Sequence, residues 1–128
     1  MLRPESKALQ DYLIFAYLKT GKDMLALREM EKALKRRTGD TLLMMQLARL
    51  YEKLGKIDRA ISVYRQVMIL SPSSNVAKNK LSILLLHLAM EKEKNGQYKE
   101  ALKYYKMILE FFPENEVAQD GYLRLRLK

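Results

Sequence analysis

The feature that most constrains this chain is a recurrence at a fixed interval. Tyr17, Gly21, Ala26 and Ala33 return as Tyr51, Gly55, Ala60 and Val67, each 34 residues later. Gly96, Ala101 and Ile108 repeat part of the set 41 residues further on. A period of this size marks stacked structural repeats, in which no single unit can bury its apolar face alone. The second interval is seven residues longer than the first. The local structure of one unit explains how that length is accommodated.

Met44, Leu47, Ala48 and Tyr51 fall at i, i+3, i+4 and i+7, one face of a helix. Gly55 follows and can take the left-handed conformation that closes a helix C-terminus. Asp58 is placed to cap the next helix, in which Ala60, Ile61, Tyr64, Val67 and Met68 share a face. Pro72 then stops it. The unit is helix, tight turn, helix. In Gly21-Lys22 and Gly55-Lys56 the upstream glycine and following hydroxyl of a phosphate-binding loop are missing, so both pairs read as interhelix turns.

This segment resembles a tetratricopeptide repeat, whose pattern is W-x2-L-G-x2-Y, then A-x3-F, then P. Here it reads Met44-x2-Leu47-Ala48-x2-Tyr51, then Ala60-x3-Tyr64, then Pro72. Ala48 and Ala60 are the small residues that let the paired helices approach, and Tyr64 fills the space beside them. A third copy reads Leu85-x2-Leu88-Ala89, Gly96, Ala101-x3-Tyr105, Ile108 and Pro113, and departs at Lys92. The first keeps Leu13, Tyr17, Gly21, Ala26 and Ala33, and departs at Gln10, Ile14, Met30 and Thr38. The resemblance implies an all-α fold, a right-handed α-solenoid of three helix-turn-helix units plus a C-terminal capping helix. One domain over 1–128 is expected, with repeats at about 7–40, 41–74 and 75–115 and the cap at 116–128. Seven residues are nearly two helical turns and shift the apolar face by only about 20°. The long interval therefore predicts an extended helix, Asn75 to Lys94, lengthened by about 10 Å with its packing face preserved.

Composition narrows the function classes. Apolar residues are 48% and charged residues 30%, which suits a folded chain with a modest core. There is no Cys and one His, so neither a Cys nucleophile nor a His-based metal site can be assembled. Glu91 and Glu93 stand two apart on a helix and diverge, so they are not a catalytic pair. No enzyme activity and no cofactor are expected. The formal charge of +9 is spread as +3, +3, +2 and +1 over 1–40, 41–74, 75–115 and 116–128. No single basic stripe with interleaved aromatics stands out, which disfavours nucleic acid. The densest run, Lys32, Lys35, Arg36 and Arg37, lies at a helix C-terminus, where the dipole favours cations.

The stretch Leu81–Met90 is about half the length of a bilayer span and reads as a buried helix segment, with His87 inside it. The start, Met1 to Ser6, lacks the apolar core of a signal peptide. A soluble, cytoplasmic setting is expected, or a periplasmic one if a leader has been removed. Phe111-Phe112-Pro113 is similar to the aromatic-Pro turns of periplasmic tetratricopeptide proteins of the bacterial envelope.

The resemblance further implies that the first helices of the repeats present a concave groove that binds a protein segment. Mapped onto this chain, the lining is Asp11, Tyr12 and Phe15, then Leu42, Met45, Gln46 and Arg49, then Ile83, Leu86, His87 and Met90. Each set has helical spacing, so its members can point together. The lining is largely apolar and contains Met, which adapts to varied shapes. It suits an amphipathic helix or an extended apolar peptide. A known branch of the family clamps acidic chaperone tails with Lys, Asn and Arg. At the matching positions this chain has Asp11, Phe15, Gln46, Ile83 and Leu86, so that clamp is not expected. Leu123, Leu125 and Leu127 in the last segment either belong to a frayed tail, or are expected to be covered by a continuation of the chain or by another subunit in self-association.

Overall fold

Ser6, Asp40, Ser74 and Asn115 each begin a helix in the same way. The side-chain oxygen accepts a backbone N–H three residues on, from Leu9, Leu43, Ala77 and Ala118, at 2.9 to 3.3 Å. This satisfies one of the donors that a helix start leaves open. A computed structural model describes residues 6–128, and among these there are seven helices and no strand. The all-α helical-repeat expectation is met. The reading of residues 1–5 as lacking a signal-peptide core lies outside the described residues.

The described chain divides into two units, one running to Pro72 and one from Ser73. The first holds α1 (Lys7–Lys19), α2 (Asp23–Arg36), α3 (Thr41–Lys53) and α4 (Ile57–Leu70). Helix α1 pairs with α2 and α3 with α4, and α2 packs on α3. The second unit holds α5 (Asn75–Lys94), α6 (Tyr98–Phe111) and α7 (Glu116–Leu125). Helix α5 pairs with α6, and α7 packs on α6. The 20-residue α5 has the bounds that the long interval predicts.

The turn inside each pair is built on one glycine. Gly21, Gly55 and Gly96 have φ of +74° to +78°. At Gly55 the N–H of Lys56 donates to Tyr51 C=O at 2.8 Å, and that of Gly55 to Glu52 C=O at 3.0 Å. These are the two bonds of a Schellman cap. The helix after the turn then starts directly from Lys56, with no side-chain cap. Asp58 is therefore not the cap that its position suggested. It sits within the first turn, where its charge faces the positive end of the helix dipole. Asp23 and Glu100 hold similar first-turn places in α2 and α6.

Small residues set how closely the paired helices approach. Ala26, Ala48, Ala60, Ala89 and Ala101 are fully buried. Tyr64 is buried in the α3–α4 pair and donates its hydroxyl to Glu52. Tyr105 repeats this 41 residues on, with its hydroxyl 2.9 Å from Glu93. In the first repeat the equivalent positions are Met30 and Leu18, so donor and acceptor are both absent. Met30 is fully buried there. Ile14, where the family prefers glycine, is accommodated in the core beside α2. Lys92 stands where a tyrosine was expected and reaches Glu100 at 3.4 Å.

Burial, then the bonded carboxylate, raises the pKa of Tyr64 and Tyr105 above the usual 10.0. Each folded tyrosine thus keeps its proton when the unfolded one has lost it. Their contribution is complete below about pH 10 and is lost as the pH rises further. Denaturant midpoints are expected to fall above that pH. A Tyr64→Phe, Tyr105→Phe variant should show a flatter alkaline limb, and an unchanged limb would assign the loss to other groups.

Candidate protein-interaction surface

Helix periodicity divides α1 into two faces. Gln10 and Ile14 point into the first unit, whereas Asp11, Tyr12 and Phe15 are exposed. Helix α3 divides likewise. Met44, Leu47, Ala48 and Tyr51 are buried, Met45 is half-buried, and Leu42, Gln46 and Arg49 are exposed. On α5, in the second unit, Leu81, Leu85 and Ala89 are buried, while Ile83, His87 and Met90 are exposed and Leu86 is half-buried. Leu81–Met90 is thus one-sided rather than a wholly buried segment, because its apolar residues occupy both faces of one helix.

Solvent reaches every residue proposed from the sequence as groove lining. The large apolar members, Tyr12, Phe15, Leu42, Ile83 and Met90, are 54% to 78% exposed. Burying a side chain of this size is worth about 1.5–3 kcal/mol, so leaving five in water is a substantial forgone gain. His87 is an exposed residue on this face and no part of a core.

Asp11 has a structural partner. The Arg37 guanidinium, in the turn after α2, is 2.8 Å from Asp11 on α1 and 2.7 Å from Asp40, which caps α3. One side chain thereby holds the middle of α1 to the start of α3. It also brings Asp11 and Asp40 to one guanidinium. Burial acts to raise the Asp40 pKa, but the Leu43 N–H and Arg37 outweigh it and lower the value. Arg37 is accordingly an architectural residue within the basic run, not a free cation.

Two features escaped the sequence reading. A cleft of about 340 Å³ in the first unit is lined by Leu34, Thr38, Met44, Gln66, Ile69 and Leu70. It combines the ends of α2 and α4 with α3, and no periodicity within one helix signals such a meeting. In the second unit, Arg124 of α7 reaches both Glu93 oxygens at 2.7 Å. A cleft of about 580 Å³ beside this pair includes Met90, Tyr98, Val117 and Lys128. Leu125 is only 3% exposed and packs inside this unit, so it is withdrawn from the suspected contact set. Leu123 and Leu127 remain exposed. Among the described residues no helix is long and apolar enough to cross a membrane.

Tetratricopeptide-repeat models match residues 43–75 and 84–115. No curated protein matches the chain significantly. Solved structures share the fold. MamA from Desulfovibrio magneticus RS-1 superposes with a TM-score of 0.59 at 23% identity, over 90% of this chain and 61% of that one. A tetratricopeptide repeat protein from Parabacteroides merdae gives 0.62 at 20% identity, over 98% and 59%. The chain thus spans about three fifths of the length of these two structures. The first repeat domain of Spaghetti (RPAP3), solved with an HSP90 peptide, gives 0.55 at 20% identity, over 98% and 94%. The two repeat matches coincide with the pairs α3–α4 and α5–α6, whose small residues, glycine turns and closing prolines carry the pattern. The chain belongs to the tetratricopeptide-repeat family.

Proposed function

We propose that this protein is a non-catalytic interaction scaffold that receives an apolar or amphipathic segment of a partner protein on the exposed faces of its first helices, α1 and α3 in the first unit and, as a separate surface, α5 in the second. The observation that carries this reading is the exposure of Tyr12, Phe15 and Leu42 on α1 and α3, and of Ile83 and Met90 on α5. Large side chains at helical spacing on a surface are the usual anchors for a helix or extended peptide. The chaperone-tail mode does not suit these residues, because Phe15, Ile83 and Leu86 offer no donor to a terminal carboxylate.

The test is a Phe15→Asp, Leu42→Asp variant. Both positions are exposed, so stability should stay within about 0.5 kcal/mol of the parent. Affinity for a partner segment, measured by calorimetry, should fall at least about tenfold, as for loss of a central apolar anchor. Unchanged affinity in a folded variant overturns the surface assignment.

Exposed Leu123 and Leu127 on and just beyond α7 favour a second reading, self-association. Sedimentation velocity of a Leu123→Lys, Leu127→Lys variant beside the parent tests it. A concentration-dependent shift in the parent that the variant lacks supports self-association, and superimposable profiles exclude it.

A further inference from the structure

We propose that the segment received by α1 and α3 is acidic as well as apolar: an amphipathic peptide whose apolar anchors are flanked by Asp or Glu. This rests on the interaction reading above and adds the charge of the partner. Helices α1 and α3 carry two carboxylates, Asp11 and Glu52, and four cations, Lys7, Lys19, Arg49 and Lys53. Both carboxylates are engaged within the unit, Asp11 by Arg37 and Glu52 by the Tyr64 hydroxyl. Lys53 is engaged too, 3.0 Å from Asp23. Lys7, Lys19 and Arg49 make no direct ion pair among the described residues, although the Lys7 charge is felt by Asp40 and that of Arg49 by Tyr64.

These three cations share the stripe of the apolar anchors. Lys19 is four residues after Phe15 and Arg49 four after Met45, so each of these two lies one turn from an anchor, while Lys7 lies one turn from Asp11. The Lys19 ammonium stands 5.6 Å from the centre of the Phe15 ring. The second unit shows the pattern independently. Lys80, Ile83, His87, Met90 and Lys94 follow one another at steps of three and four on α5, with a cation at each end. The face is thus apolar in its middle and cationic at its ends. It repels a basic segment and leaves a neutral one without charge partners.

The probe is a displayed library of amphipathic peptides with a fixed apolar stripe and randomised flanks, selected on the full chain. Binders enriched in flanking Asp and Glu are the expected result. A Lys7→Glu, Lys19→Glu, Arg49→Glu variant should weaken those binders about tenfold or more, from three exposed ion pairs, and should select Lys and Arg flanks instead. Raising salt should weaken the parent's binders and not a neutral-flank control. Binders with no charge bias that still need Phe15 overturn this inference and leave the interaction reading intact. Binders indifferent to Phe15 and Leu42 overturn both. Capture by anionic-lipid vesicles, with no peptide enriched, would assign the cations to a membrane surface and also overturn the proposal.

Discussion

Replacing Tyr64 with methionine is expected to cost about 3 kcal/mol of stability, and adding Glu52→Leu to return more than half of it. Tyr64 has no solvent exposure and gives its hydroxyl to Glu52. The single change removes ring volume, worth about 1–2 kcal/mol, and leaves a half-buried carboxylate without its donor, worth a further 1–3. The first repeat shows the alternative already in use. Its equivalent positions hold Met30 and Leu18, so no polar group there needs a partner. Urea unfolding of the two single variants and the double variant gives the coupling directly. Strictly additive losses would mean that the pair is not a unit and that the first repeat differs by drift alone.

The variant Gly121→Val should destabilise the second unit by about 2 kcal/mol, against the sign of helix propensity, which favours valine over glycine by a few tenths. A Cβ at residue 121 would lie 2.6 Å from the Tyr105 ring. That ring is buried, and its hydroxyl is held by Glu93, so it cannot swing aside. The loss has a ceiling, because α7 can detach rather than compress. Detachment gives up the burial of Ala118 and Leu125 and the Arg124 pair with Glu93. Amide exchange should accordingly quicken along α7 while α5 and α6 keep their protection. A variant as stable as the parent would show that the ring yields.

The contrast between α5 and α7 shows what could be read from the chain. Helix α5 was legible in its extent, because seven added residues preserve an apolar face and Gly96 marks its end; its Ser74 cap emerged only in the structure. Helix α7 was legible as an element but not in its packing. Its inward face is Ala118, Gly121 and Leu125, and nothing in one isolated helix says that a glycine there meets a tyrosine from α6. Asp58 misled for a related reason. Its side chain could cap, but the Schellman turn delivers the chain into α4 two residues earlier than a start capped by Asp58 would. The apolar positions at 12, 15, 42, 83 and 90 were assigned outward by the family resemblance together with helical spacing, and they are exposed. Asp11 was assigned with them, yet its long-range tie to Arg37 has no local signature, since 26 residues separate them.

The three glycine turns have a kinetic consequence. Each joins two helices that pack on each other, and the extensive helix contacts all join neighbours in sequence. Loop closure is therefore cheap at every step, and chains with such local contacts fold on the order of microseconds to milliseconds. Ribosomes add roughly 5–20 residues per second. A hairpin such as α3–α4 can thus close before the next has been made, so little apolar surface need wait uncovered while the chain is finished.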